Sequence, residues 1–185
     1  LEPREREIIG RLQLLTGLPV LYVANVAEAA LGASPAPALT ALVELAAAEG
    51  APVVVLSASF EAELAGLDPD DQELFLRDAG LDEPALHVLI RSGYRLLGLV
   101  TFFTICPPEL RAWTVRQTTA ALEAAGKIHT DFARGFIRAE VVSFDELEKA
   151  GGPAAAREQG LVRSEGRGYQ VQDGDIIHFR FNVTT

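Results

Sequence analysis

The sequence predicts an α/β protein in two parts, a parallel strand–helix–strand unit followed by a β-grasp (ubiquitin-like) sheet. Three observations carry this. Two continuous apolar runs, residues 19–24 (PVLYVA) and 52–56 (PVVVL), flank a helical stretch, as in a parallel crossover unit. Around Leu97 the texture changes to β-rich runs split by a Pro-Pro turn. From there the order is two strands, a helix and further strands, which is the order of a β-grasp.

The bulk composition bounds the function classes. With 185 residues and a hydrophobic fraction of 49%, the chain can fill one large core or two small ones. Net charge is −10, unevenly placed: residues 1–96 carry 6 basic and 15 acidic side chains, and residues 97–185 carry 10 and 11. Such an acidic body disfavours non-specific nucleic-acid binding, so no DNA partner is expected and any RNA contact belongs to the second half. The single cysteine, Cys106, excludes an internal disulfide framework and a cysteine metal cluster. His87, His129 and His178 have no ligand spacing, so no metal site is expected, and no nucleophile–base pattern marks a catalytic residue. There is no run of about 18 apolar residues and no signal-peptide pattern, so no membrane partner is expected and the cytoplasm is the default location. The lack of any Met predicts a piece or a processed form of a longer product.

Taken in order, residues 3–16 read as a helix, with Ile8, Ile9, Leu12 and Leu15 at helical spacing and Gly17 as its stop. The strand over 19–24 is apolar throughout, as suits burial on both faces. Ser34-Pro35 is a helix start, and Leu39, Leu42, Val43 and Ala46 give its buried stripe up to Gly50. The strand over 52–56 ends in Ser57-Ala58-Ser59. Asn25-Val26-Ala27-Glu28 and Ser57-Ala58-Ser59 thus stand at the carboxyl ends of two parallel strands, where such sheets place small-molecule sites. Asn25 and Glu28 could equally cap the segment that follows. Residues 60–96 are helical in three pieces, 61–67, 70–79 and 82–96, with Asp68-Pro69 opening the second and Gly80 closing it. His87 sits among Leu86, Leu89 and Ile90 as a packed or half-exposed helix residue.

In the second half, 99–105 (LVTFFTI) and 110–115 (LRAWTV) form a hairpin about Cys106-Pro107-Pro108-Glu109. A helix over 118–125 follows, then a Gly-Lys-Ile-His-Thr-Asp-Phe loop, then a strand over 136–143. Short helices are expected at 144–150 and 154–159. The end, 169–181, reads as two short strands about Asp173-Gly174. His129, Asp131, Arg134 and Arg138 fall within ten residues. His129 and Asp131 can simply cap the turn between helix and strand, and Trp113 and Phe132 read as core.

These stretches carry a resemblance. Asn25-Val26-Ala27-Glu28 preceded by QLLTGLPVLYVA, then RAWTV, AAGKIHTDFARGFIRAEVVSF and YQVQDGDIIHFRFNV, are similar to the YchF-type branch of the Obg-like P-loop ATPases over nearly the whole chain. The resemblance implies the C-terminal portion of a P-loop NTPase parallel sheet (1–66), a helical connection (67–96) and a TGS domain of β-grasp fold (97–185). It also implies base recognition by an Asn-x-x-Glu motif, here Asn25, Val26 and Glu28, with Ser57, Ala58 and Ser59 as a second base-contacting turn. Guanine offers two donors that a short Asp carboxylate accepts together, whereas adenine offers an acceptor at N1 and a donor at N6. A motif without Lys and with the longer acid therefore implies ATP or a relaxed choice between ATP and GTP, with Mg²⁺ in the intact protein. The ribosome or its RNA is the implied partner of the TGS half. Arg111, Arg116, Lys127, His129, Arg134 and Arg138 are the candidates for that contact, interleaved with Glu109, Glu123, Asp131 and Glu140.

No GxxxxGK[ST] occurs in these 185 residues; Gly126-Lys127 is followed by Ile128 and has Ala121 where the first Gly would stand. Without that cradle for the phosphates, this chain alone is not expected to hydrolyse ATP, although its parent is. The rival expectation is a stand-alone β-grasp module that binds RNA or protein and no nucleotide.

Overall fold

The computed structural model describes residues 5, 10–12, 14–106 and 109–182, the Cys106 side chain excepted. The chain forms two compact units, Leu1–Leu97 and Gly98–Thr185. The helix expected over 3–16 lies largely outside the described residues, as does the Pro107-Pro108 turn; Leu15–Gly17 make a single 3₁₀ turn.

In the first unit, β1 (Tyr22–Asn25) pairs in parallel with β2 (Val53–Leu56), in register from Tyr22↔Val53 to Asn25↔Leu56. The crossover helix is α1 (Pro37–Glu49). It starts two residues after the expected Ser34-Pro35, because a residue before proline avoids the α region: Ala36 is held at φ −62°, ψ 153° by Pro37, which becomes the first helical position. Burial on both strand faces is not met within this unit, since Val23 and Val55 keep 46% and 39% of their surface exposed while Val54 is buried. Three helices follow, α2 (Ala58–Leu64), α3 (Pro69–Asp78) and α4 (Ala85–Leu96). The first begins three residues earlier than expected, directly off β2. Asp68 caps α3 by accepting from the Asp71 N–H at 3.1 Å. Phe60, Leu64 and Leu76 form a small core in which Phe60 stacks on Phe75 at 4.7 Å.

The second unit is a five-stranded mixed sheet in the order β4-β3-β7-β5-β6. β3 (Leu99–Cys106) and β4 (Glu109–Arg116) form the antiparallel hairpin, and β3 lies parallel to β7 (Asp175–Phe181) at the centre. β5 (Phe136–Ser143) pairs antiparallel with both β7 and the short β6 (Arg163–Glu165). Hairpin, helix and a central parallel pair are the β-grasp arrangement. One face packs on α5 (Ala121–Ile128), whose Ala121, Ala124 and Ala125 are fully buried; these small side chains let the helix approach Phe102, Val141, Ile177 and Phe179 closely. Trp113 and Phe132 pack against the same core.

Two local expectations are corrected. The loop around His129 is helical on both sides: α5 runs to Ile128, and α6 (Thr130–Arg134) starts after a break at His129, whose Nδ1 accepts from the Asp131 N–H at 3.2 Å. Asp173-Gly174 does not join two strands. The Asp173 carboxylate accepts from the Thr101 N–H at 2.7 Å and the Gly174 N–H donates to the Thr101 carbonyl at 2.8 Å, so the turn is fastened to β3 and only β7 continues as a strand. Gly174 holds φ +80° there, a conformation that favours glycine. Helices α7 (Phe144–Ala150) and α8 (Pro153–Glu158) link β5 to β6.

Candidate functional site

In the first unit the parallel register sets Asn25 beside Leu56, so the chain turns away from both strands at one level. The Val26 N–H still donates to the Leu56 carbonyl at 2.8 Å, which carries the pairing one residue past β1. The Asn25 Oδ1 then accepts from the Ala58 N–H at 3.0 Å. That bond fastens the Asn25 turn to the Ser57-Ala58-Ser59 turn, residues separated by 33 positions in sequence. Ser57 is buried and its hydroxyl lies 3.0 Å from that of Ser59, while Ala58 and Ser59 are exposed. Glu28 opens a 3₁₀ turn, Glu28–Ala30, with its side chain exposed. A cavity of about 500 Å³ opens beside Ala58, lined also by Leu56, Leu64, Pro84 and His87. Glu61 borders it but is committed to α4, accepting from the Ala85 and Leu86 N–H groups at 2.8 and 3.1 Å.

These turns offer a small number of polar groups. The Asn25 carbonyl oxygen accepts the Ala58 N–H with one of its two lone pairs, and the amide N–H donors, which no bond among the described residues takes up, suit a ring acceptor such as purine N7. Glu28 supplies an acceptor-only carboxylate, which suits an exocyclic amino group. Ser59 adds a hydroxyl of either sense. Among the described residues no group of three or more His, Cys, Asp or Glu is placed to hold a metal ion, and no helix is long and apolar enough to cross a membrane.

The six cationic or polar candidates of the second unit do not converge. Arg111 and Arg116 are five positions apart on β4, hence on opposite faces, and Arg111 pairs with Glu109 at 2.6 Å. Lys127 lies in the last turn of α5, while His129 and Arg134 bracket α6. Arg138 lies on β5, three strands from β4 in the sheet order. Only Arg138 enters a cluster; of its companions Glu140 is expected beside it, while Arg157 and Arg180 are ones that sequence reasoning missed. Arg138 is the register partner of Arg180 on β7, and Glu140 of His178, so these four side chains rise on the face opposite the core. Arg180 makes a two-pronged bond to Glu140, Nε to Oε1 at 3.0 Å and Nη2 to Oε2 at 3.1 Å. Arg138 Nη2 donates to Oε1 at 3.1 Å, and Arg157 Nη2 on α8 approaches Oε2 at 3.6 Å. The Arg180 bond first, and that of Arg138 after it, hold the Glu140 carboxyl down at about 2. His178 is pushed below its ordinary value by burial first and the Arg180 charge second. Period-two alternation in His178-Phe179-Arg180 puts Arg180 on the polar face, but its strand partner is fixed only by the tertiary pairing.

Comparison with known proteins places the chain. A family named for the C-terminal part of YchF GTPases, described as "Protein of unknown function (DUF933)", matches residues 99–182. The "Ribosome-binding ATPase YchF" of Bacillus subtilis is 47% identical over 180 residues, 97% of this chain and 49% of that protein. That of Haemophilus influenzae is 46% identical over 183 residues, 99% of this chain and 50% of its own length. The chain thus spans about half the length of the curated relatives it matches. Among solved structures, the Schizosaccharomyces pombe YchF GTPase superposes with a TM-score of 0.84 at 30% identity, over 97% of this chain and 48% of that one. A GTP binding protein from Pyrococcus horikoshii shares the fold at a TM-score of 0.60 and 20% identity, over 89% of this chain and 46% of that one.

Proposed function

As this chain belongs to the YchF family in sequence and fold, we propose that it is the base-reading and ribosome-facing part of a nucleotide-binding protein that works on the ribosome in the cytoplasm. The observation that carries the nucleotide half is the Asn25–Ala58 hydrogen bond, which assembles two distant turns into one site at the carboxyl ends of parallel strands. Asn25, Val26 and Glu28, with Ser57, Ala58 and Ser59, take the base. Their chemistry favours adenine or tolerates both purines, because Glu28 accepts from an amino group and no Lys accompanies Asn25. Residues 1–66 are assigned to the nucleotide domain, 67–96 to a helical connection and 97–185 to a TGS domain. The exposure of Val23 and Val55 supports a larger sheet around β1 and β2. The phosphates, and the Mg²⁺ that accompanies them, are held by a P-loop outside these 185 residues, so the chain by itself binds nucleotide weakly and does not hydrolyse it.

Ribosome binding, the property for which the relatives are named, is assigned to the second unit. Arg111, Arg116, Lys127, His129, Arg134 and Arg138 supply its polar contacts. The nucleotide half is tested with Asn25→Ala in the full-length protein. The variant loses the tie to Ala58 and at least tenfold in nucleotide affinity, with no more than about 1 kcal/mol lost in stability. Full affinity in that variant overturns the assignment.

A further inference from the structure

The sheet face opposite the core carries a groove that the six candidates above do not explain. One end, about 550 Å³, is bordered by Arg138, Glu140, Arg157, Arg163, Ser164 and Arg180. Three of these guanidiniums gather on the single Glu140 carboxylate, leaving two positive charges in excess. Arg163 sits at the rim near two further acids, Glu165 at 3.8 Å and the buried Asp175 at 3.9 Å. The charge is local, since residues 97–185 are net −1 overall. Glu140 is largely covered, at 14% exposure, whereas Arg138, Arg157 and Arg180 keep 45–59%. It therefore acts as a floor on which the partly exposed guanidiniums rest. Among the described residues Arg157 makes an ion pair and no hydrogen bond, so its donors are uncommitted. The other end, about 320 Å³, shares Glu140, Arg157 and Val162 and is otherwise apolar, lined by Val142, Leu147 and Ile176 among others, with His178 beside them.

We propose that this groove binds an unpaired RNA nucleotide, its phosphodiester on Arg138, Arg157 and Arg180 and its base in the apolar end beside His178. The Arg157 fork can match phosphate oxygens two at a time, while Arg138 and Arg180, bonded to Glu140, bring charge and their remaining N–H donors. A concave apolar pocket next to them admits a splayed base and excludes a paired one, which selects single strands over duplex. The proposal rests on the ribosome-binding reading and deepens it, moving the main RNA contact from the scattered candidates to one groove centred on Arg138.

The test is fluorescence anisotropy of this chain with a labelled six-nucleotide RNA, alongside sedimentation with ribosomes. Arg138→Ala with Arg157→Ala, both at half-exposed positions, is expected to weaken RNA binding at least tenfold. It should also flatten the slope of log affinity against log salt, by about 0.7 for each phosphate that is no longer neutralised. Arg157→Glu alone, at the most exposed of the three, should weaken it at least as much per site. Arg77→Ala with Arg95→Ala, a charge-matched change in the first unit, should leave binding within twofold. RNA binding that survives the groove variants, or is absent in the native chain, overturns the groove. So does heparin competing as well as the oligonucleotide at matched charge, since that is attraction without recognition of a base. If ribosomes pellet the native chain and the groove variants equally, the groove fails and the ribosome reading stands. If they pellet neither while the oligonucleotide still needs the groove, the ribosome reading fails and the site stands.

Discussion

Replacing Glu140 by Gln keeps the shape of the side chain and removes the charge on which Arg138, Arg157 and Arg180 gather. The carboxyl falls from 4.5 to about 2 in the folded chain, and the first cause is the Arg180 bond. At about 1.4 kcal/mol per unit, the full shift corresponds to roughly 3.4 kcal/mol. The arginines are about half exposed and solvent screens them, so the realised contribution is about 1–2 kcal/mol. Because the folded value is depressed, this stability is fully present above the unfolded value near 4.5 and is lost as pH falls through about 2. Trp113, the only tryptophan, packs on the core of the second unit and reports its unfolding by fluorescence. In denaturant titrations Glu140→Gln is therefore about 1–2 kcal/mol less stable than the native chain at pH 7, and the gap closes towards pH 2. It also narrows in 1 M salt. A gap of equal size at pH 7 and pH 2.5, or none at pH 7, refutes the electrostatic account of this cluster.

Two further outcomes follow from close packing and buried polarity. A Cβ at Gly135 would lie 2.0 Å from the Asn182 carbonyl oxygen, and Asn182 is tied to Gly135 by its own N–H at 2.9 Å, so Gly135→Ala must move backbone. It should cost about 1–3 kcal/mol in the same fluorescence assay. Tyr169→Phe removes the hydroxyl that donates to the buried Asp175 at 2.8 Å and leaves that carboxylate with the Gln172 N–H and a distant Arg163. A loss of about 1–2 kcal/mol is expected from calorimetry of the variant beside the native chain.

Much of this fold is legible in the residues, and the misses have physical causes. The runs at 19–24 and 52–56 give β1 and β2 because β-branched apolar stretches between helix signals have few other uses. The helix between them starts two residues later than its first start signal because two prolines compete, and the second decides where the α region opens. Asp173-Gly174 has the composition of a hairpin turn, yet its hydrogen bonds go to Thr101, 72 positions away, which no local pattern reveals. The same limit governs the sites. The turns of Asn25 and Ala58 can be paired from sequence because parallel strands of equal length bring their carboxyl ends together. Arg180 cannot be set beside Arg138 in that way, because their pairing depends on which strands become neighbours in the five-stranded sheet.

The most direct measurement is the affinity of the full-length protein for ATP and GTP, determined side by side by calorimetric titration with Mg²⁺ present. A base site made by Asn25 and Glu28 without a Lys predicts ATP bound at least as tightly as GTP. GTP bound a hundredfold more tightly than ATP would contradict the assignment of these residues to base recognition.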